Sequence, residues 1–316
     1  MDNFWTHLSR PFLALAPMAG MTDRAFRTMC KRFGADVIYT EFASANALAR
    51  HNKKTEQMLT FAEEEQPVVC QIFGSDVEMF SKATQEVEKL GFAGIDINFG
   101  CPAYKVTRHG GGVQLMKNLA LCAELVAAVC GAATLPVSVK IRASINDHQK
   151  KITAIDLVEK IKSLPVSAIM VHGRSYELPF DGEPDNGMIA EVKKKFNGIV
   201  IANGGINNPE TAKKMREETK ADGLGIARGA LGRPWIFRQI RDYLTTGSCH
   251  EPSWEEKKEC IVTHAKLALE TKGPYGIIEM RKHLVWYVKG LRDAKKIHEE
   301  LVRAKTLEEI QRLIMA

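Results

Sequence analysis

The chain has 316 residues, 45% of them apolar and 26% charged, a globular composition that excludes a disordered or fibrous protein. Lys and Arg number 44 against 38 Asp and Glu, so the formal charge of +6 permits an anionic partner without demanding one. Seven cysteines with no CxxC pair and no zinc-finger spacing argue against a disulfide framework and against a bound metal. They place the chain in a reducing compartment. No apolar run reaches the ~18 residues a membrane helix needs. Ala14-Leu15-Ala16 mimics a signal-cleavage site, but the apolar stretch before it is short and Asp2 spoils a basic leader. A cytoplasmic protein without a membrane partner is expected.

Short apolar runs then alternate with amphipathic stretches over the first ~240 residues. In chain order the runs are FLALAPMAG (12–20), ADVIYTEF (35–42), PVVCQIFG (67–74), AGIDINFG (93–100), PVSVKIR (136–142), VSAIMVHGR (166–174), GIVIANGG (198–205) and ADGLGIARG (221–229). Most are rich in Val and Ile, bounded by Gly or Pro, and apolar at successive positions, as buried parallel strands are. Between them lie helical segments with start signals. Ser75 with Glu78 reads as a capping box, and Asn208 followed by Pro209 as an N-cap with Pro in the first turn. Eight such units fit a (β/α)8 TIM barrel, with an open doubly wound sheet as the alternative. All eight strand ends carry residues able to line one site, which favours the barrel. From about residue 245 strand runs cease. Thr246-Gly247-Ser248 reads as a linker, and helices are expected near 253–272, 276–292 and 294–303 and from 307 after Thr306…Glu309. The division predicted is 1–244 as the barrel and 245–316 as a small all-α domain.

The strand ends hold the candidate chemistry. Cys101, in NFGCPAYKV (98–106), reads either as a structural cysteine or as a reactive one, and its place at a strand end favours the second. A thiol there serves as nucleophile or as proton donor. A donor must be neutral, the default at a pKa of roughly 8.5, and a nearby Lys pushes the other way. Lys140, in an apolar run, is either salt-bridged or faces an anion. His172 is either a satisfied core histidine or part of a polar site with Lys140 and Gln71. NGGI (203–206) and GIARGALGRP (225–234) follow the last two strands, where barrels frequently bind phosphate, and Arg228 adds a charged donor. GxGxxG and Walker A motifs are absent. Near the C-terminus Arg281, Lys282, Lys289, Arg292, Lys295 and Lys296 stand against Asp293, with Trp286 and Tyr287 among them. That stretch is either a solvated helix face or a surface contacting nucleic-acid phosphates.

Taken in order, APMAGMTDRAFR (16–27), VVCQIFGSD (68–76), GIDINFGCPAYKV (94–106), VSVKIR (137–142), IMVHGR (169–174), VIANGGI (200–206), GIARGALGRPWIF (225–237) and MRKHLVWYVKGL (280–291) resemble the tRNA-dihydrouridine synthase family, in particular its bacterial B-type branch. The resemblance implies an FMN-binding barrel followed by a helical tRNA-binding domain. It implies that Pro17 and Met18 lie along the flavin, that Gln71 hydrogen-bonds its ring and that Lys140 stands near the N1–C2 edge. His172 would pack near the ring and phosphate, and Asn203, Gly204, Gly205, Gly225 and Arg228 would hold the phosphate. Asn98 would contact the uracil and Cys101 would be the general acid. Lys105 and Arg142, with Arg281, Lys282 and Lys289, would meet RNA. The implied chemistry is reduction of FMN by NADPH or NADH, then hydride transfer from flavin N5 to C6 of a flipped-out uridine, with Cys101 protonating C5. A monomer is expected.

The chain departs from the family pattern at three places. Ala227 replaces a usual Gly in the phosphate loop, PDNG (184–187) replaces a segment that usually carries an aromatic, and HGGG (109–112) makes the loop after Cys101 unusually Gly-rich. Two other readings share features with this one. A small-molecule flavin oxidoreductase of the dihydroorotate or dihydropyrimidine dehydrogenase type leaves the basic helical tail unexplained. An inactive tRNA-binding factor leaves the set of Asn98, Cys101, Lys140 and His172 unexplained.

Overall fold

The computed structural model describes residues 3–108, 110–178, 181–290 and 294–315. Eight parallel strands form a ring: β1 (Phe12–Leu15), β2 (Val37–Tyr39), β3 (Val68–Phe73), β4 (Gly94–Phe99), β5 (Val137–Asp147), β6 (Val166–Ser175), β7 (Ile199–Asn203) and β8 (Gly223–Ile226). Each pairs with the next, and β8 returns to β1 with Ile226 opposite Leu15. That last pairing closes a (β/α)8 barrel and excludes the open sheet. Every apolar run of the sequence holds one strand.

The near-continuous apolar pattern follows from burial on both faces of each strand. Outward positions such as Leu13, Ile38, Cys70, Ile95, Val139, Val171 and Leu224 pack in the layer between strands and helices. Inward positions change character along the barrel axis. Near the N-terminal ends of the strands, Phe12, Ala14, Val37, Val69, Ala168 and Ile199 fill the interior, and Trp5 plugs it from the turn Phe4–His7. Gly223 is required there, because a Cβ would lie 2.4 Å from the Phe12 ring. Toward the C-terminal ends of the strands the interior turns polar, at Gln71, Asn98, Lys140, His172 and Asn203.

The sequence missed a hairpin and misplaced a cap. β5 runs on to Asp147 and pairs antiparallel with Lys150–Thr153, a polar segment with none of the apolar signal of the barrel strands. The helix Val77–Lys89 is capped by Asp76, whose side chain accepts from the Met79 N–H, one residue after the expected Ser75. Asn208 caps the helix Pro209–Thr219 with Pro in its first turn, as expected.

Helices Trp254–Lys272, Pro274–Tyr287, Ala294–Leu301 and Leu307–Met315 follow the barrel. Their apolar faces share one cluster with Ala25 and Met29 of the barrel helix Arg24–Arg32 and with Trp235. Gly232, at φ +66°, brings a barrel loop so close that a Cβ would lie 2.3 Å from the Trp286 carbonyl carbon. The helical unit is thus packed onto the barrel, not tethered beside it. Asp23, His264 and His283 meet within this joint, with ligand-type atoms within 4.8 Å of one another. The ammonium groups of Lys272 and Lys282 already face the Asp23 Oδ2 at 3.8 and 3.6 Å, and their charge opposes a divalent cation there. Arg292 and Asp293 lie outside the described residues. Among the described residues, no helix is long and apolar enough to cross a membrane.

Candidate functional site

The polar ends of the inward-facing rows meet in a cavity of about 830 Å³ at the C-terminal mouth of the barrel. Pro17 and Met18 line it after β1 and Gln71 from β3. Asn98 and Cys101 line it from the end of β4, Lys140 and Arg142 from β5, and His172 from β6. Asn203, Gly204, Gly205, Gly225 and Arg228 close the side formed by β7 and β8. Alternation explains the assembly. Gln71, Asn98, Lys140, Arg142, His172 and Asn203 each sit at an inward position of their strand.

Four residues expected to meet RNA do not line the cavity. Lys105 stands with its Nζ 5.9 Å from the ring of Phe42, a cavity-wall residue, and so belongs to the rim. Arg281 donates to the backbone carbonyls of Ala304 (2.8 Å) and Arg303 (3.2 Å), which ties two C-terminal segments together. Lys282 faces Asp23 in the joint. Lys289 stacks over Trp286, 5.3 Å from its ring.

Trp286 itself reaches into the cavity wall from the helix Pro274–Tyr287. Its position depends on docking of the helical unit, so no local signal in the sequence reveals it. Arg174, Tyr176 and Glu177 also line the cavity from the end of β6 and just beyond. Asp96, below the cavity, did carry a signal: a carboxylate inside the apolar run AGIDINFG.

The electrostatics of the cavity are one-sided. Lys140 donates to Asn203 Oδ1 at 3.3 Å, and Asn203 donates to the Gly225 carbonyl at 2.7 Å. Burial, joined by the neighbouring Arg142 charge, lowers the Lys140 ammonium to about 8. Arg142 bonds the Gly100 and Ser175 carbonyls at 2.8 and 3.0 Å; burial brings it down to about 10. His172 is driven to about 2, first by burial and then by Lys140, Arg142, Arg174 and Arg228. It is therefore a neutral imidazole beside four cations. Such a site accepts an anion without competing proton uptake.

Cys101 is half-buried, and burial raises its thiol above the ordinary 9.0, opposed by the Ala103 N–H and by Lys140, Arg142 and Lys105. The balance leaves a neutral thiol at pH 7. Its loop is held by Asn98, whose Oδ1 accepts the backbone N–H of Cys101 at 2.9 Å and of Gly100 at 3.1 Å. Gly112, at φ +60°, lets the returning chain pass, since a Cβ would lie 2.6 Å from the Cys101 carbonyl oxygen. The Gly-rich stretch after Cys101 thus packs against it, although His109 lies outside the described residues. The remaining six cysteines are free thiols away from the cavity.

The side formed by β7 and β8 is shaped by glycine. Gly204, at φ +113°, would place a Cβ 2.7 Å from the His172 ring, and Gly229 one 2.2 Å from the Ile206 carbonyl oxygen. Backbone can approach a bound group closely here. Ala227 adopts φ −114°, so its methyl imposes no left-handed strain.

A family profile described as dihydrouridine synthase (Dus) matches residues 14–315. The chain is similar to tRNA-dihydrouridine synthase B of Pseudomonas aeruginosa, 38% identical over 295 residues that cover 92% of this chain and 88% of that protein. It is also similar to tRNA-dihydrouridine synthase B of Shewanella oneidensis, at 36% identity over 87% of this chain and 86% of that one. A probable tRNA-dihydrouridine synthase 1 of Synechocystis is 32% identical over 93% and 82%. Among solved structures, morphinone reductase in complex with tetrahydroNAD superposes with a TM-score of 0.55 at 14% identity, covering 80% of this chain and 92% of that one. Histamine dehydrogenase from Rhizobium sp. 4-9 superposes with a TM-score of 0.57 at 10% identity, covering 81% and 48%. At such identities the structural likeness speaks to the fold alone.

Proposed function

The chain belongs to the dihydrouridine synthase family, and we propose that it is a cytoplasmic, FMN-dependent oxidoreductase that reduces the C5–C6 double bond of uridines in tRNA with electrons from NADPH or NADH. The observation that carries this reading is the convergence, in one cavity, of a neutral thiol, a neutral imidazole and four cations.

The cavity suits a flavin mononucleotide. Glycine backbone at Gly204, Gly205 and Gly225 leaves room for a close approach, and Arg228 and Arg174 supply charge for a phosphate. Pro17, Met18, Gln71 and Lys140 would line the ring, with His172 between ring and phosphate. When bound, the flavin supplies the hydride that C6 of the uracil receives. The protein's own part is to hold and deliver a proton. Cys101 keeps its proton at Sγ at neutral pH and gives it to C5. Asn98 fixes the loop that presents that thiol. Lys140 and Arg142 hold negative charge in the cavity, where burial strengthens their effect.

We assign residues 245–316 to tRNA binding. Trp286 brings this unit to the cavity wall and Lys289 extends it with a cation. Lys105 places another at the opposite rim, over Phe42. Purified protein supplemented with FMN and desalted is expected to retain flavin absorbance, which NADPH or NADH then bleaches. A protein that never retains flavin contradicts the reading.

A further inference from the structure

Beneath the cavity lies a buried chain of hydrogen bonds of which the roles above use only the last link, from Asn98 to the Cys101 loop. Asp96 stands two residues before Asn98 on β4, so both face the barrel interior. Its carboxyl is fully buried. Oδ1 accepts from Ser138 Oγ at 2.6 Å, and Oδ2 accepts from Gln71 Nε2 at 2.7 Å. Gln71 Oε1 accepts from Asn98 Nδ2 at 2.8 Å, and Asn98 Oδ1 receives the N–H groups of Gly100 and Cys101. The path runs without a break from a buried carboxylate to the backbone of the proposed acid.

The chain has a direction, set by the carboxylate at one end and matched by the Gly100 and Cys101 N–H groups at the other. An amide side chain offers donors at one end and an acceptor at the other. An ionised carboxylate only accepts, so Gln71 must turn its NH2 toward Asp96 and its oxygen toward Asn98. Asn98 must then turn its NH2 toward Gln71 and its oxygen toward the Cys101 loop. Reversal would set the Asn98 NH2 against two backbone N–H groups, leaving buried donors without acceptors.

We infer that Asp96 is a positioning residue for Cys101: its carboxylate anchors the Gln71 and Asn98 amides in the direction that the Cys101 loop requires and so pins the loop that carries the thiol. The inference deepens the proposed function and rests on the role given there to Cys101. Its structural part, the pinning, stands on the hydrogen bonds alone.

The test uses the full-length, FMN-supplemented protein and the variants Asp96→Leu and Asp96→Asn. The alkylation rate of Cys101 by iodoacetamide is read by peptide mass spectrometry, and dihydrouridine formation on unmodified tRNA is read in single turnover. Leu supplies no acceptor. It is expected to change Cys101 alkylation and lower dihydrouridine formation by about tenfold, the factor carried by one buried hydrogen bond, with KM for tRNA unchanged. Asn can still accept from Gln71, because Ser138 can turn its hydroxyl to the Ile95 carbonyl, 3.4 Å away. Asp96→Asn should therefore stay within about threefold of the parent, which is less than one such bond. Parental alkylation and turnover in Asp96→Leu overturn the inference, and so does an Asn variant as impaired as the Leu one. If Asp96→Leu does not fold, a loss of about tenfold or more in Asp96→Asn is by itself contradictory. A parent that makes no dihydrouridine defeats the proposed function instead, and the alkylation rates still decide whether Asp96 pins the loop.

Discussion

Among single residues, the proton at Cys101 decides the chemistry. Burial outweighs the nearby cations and keeps the thiol titrating above 9.0. The acid form is the active one, so proton donation is present at neutral pH and is lost as pH rises through that raised value, after Lys140 has begun to lose its charge near 8. Replacing Cys101 by Ala should lower dihydrouridine formation by about 10²- to 10⁴-fold, the range of a general acid. Bleaching of the flavin by NADPH and binding of tRNA should persist. Near-parental product formation on unmodified tRNA would remove Cys101 from its role. Position along the strands was legible in the sequence, because strand ends are marked by where the apolar runs stop. Side-chain partners were not. Asn98, expected to contact uracil, lines the cavity, and its oxygen also holds the Cys101 loop while its NH2 group donates to Gln71. Arg281, expected to meet RNA, also binds two backbone carbonyls of the C-terminal unit. Such pairings depend on residues far apart in sequence, which spacing does not encode.

At the scale of elements, the wall of the cavity after β1 depends on a buried ion pair. Arg27 and Glu65 are both fully buried, with Nε to Oε2 at 2.7 Å. Arg27 also bonds the Thr22 and Thr60 carbonyls, and Glu65 accepts the Ala62 N–H. Thr22 in turn accepts the Met18 N–H, so the pair steadies the turn that carries Pro17 and Met18. Glu65→Gln leaves Arg27 charged and uncompensated, which should cost about 3–5 kcal/mol in urea unfolding. A cost below about 1 kcal/mol, the worth of an exposed pair, would contradict this. The eight barrel strands were legible because burial on both faces leaves an unbroken apolar signal. The hairpin after β5 was not, because its partner strand, Lys150–Thr153, is mostly polar. The cap at Asp76 stood beside an equally good candidate, Ser75, and only backbone geometry separates the two.

At the scale of the whole molecule, the barrel and the helical unit share both a core and a cavity wall. Ala25 and Met29 lend the barrel's surface to the helical cluster, and Trp286 lends the helical unit to the site. The sequence marked the change from strands to helices near residue 245, but not how closely the two parts pack. Lys289, on Trp286, is the described cation of the basic stretch best placed to reach a phosphate beside the cavity. Lys289→Ala should reduce the slope of log tRNA affinity against log salt by about one contact's worth and leave flavin retention unchanged. An unchanged slope would place the RNA elsewhere.

A cavity that reduces uridine in tRNA leaves a chemical record in the cell's tRNA. The most direct measurement maps dihydrouridine by sequencing tRNA from cells with the protein, from cells without it, and from cells restored with the Cys101→Ala variant. Specific positions are expected to carry dihydrouridine only when the parental protein is present. Identical maps in all three would contradict that activity.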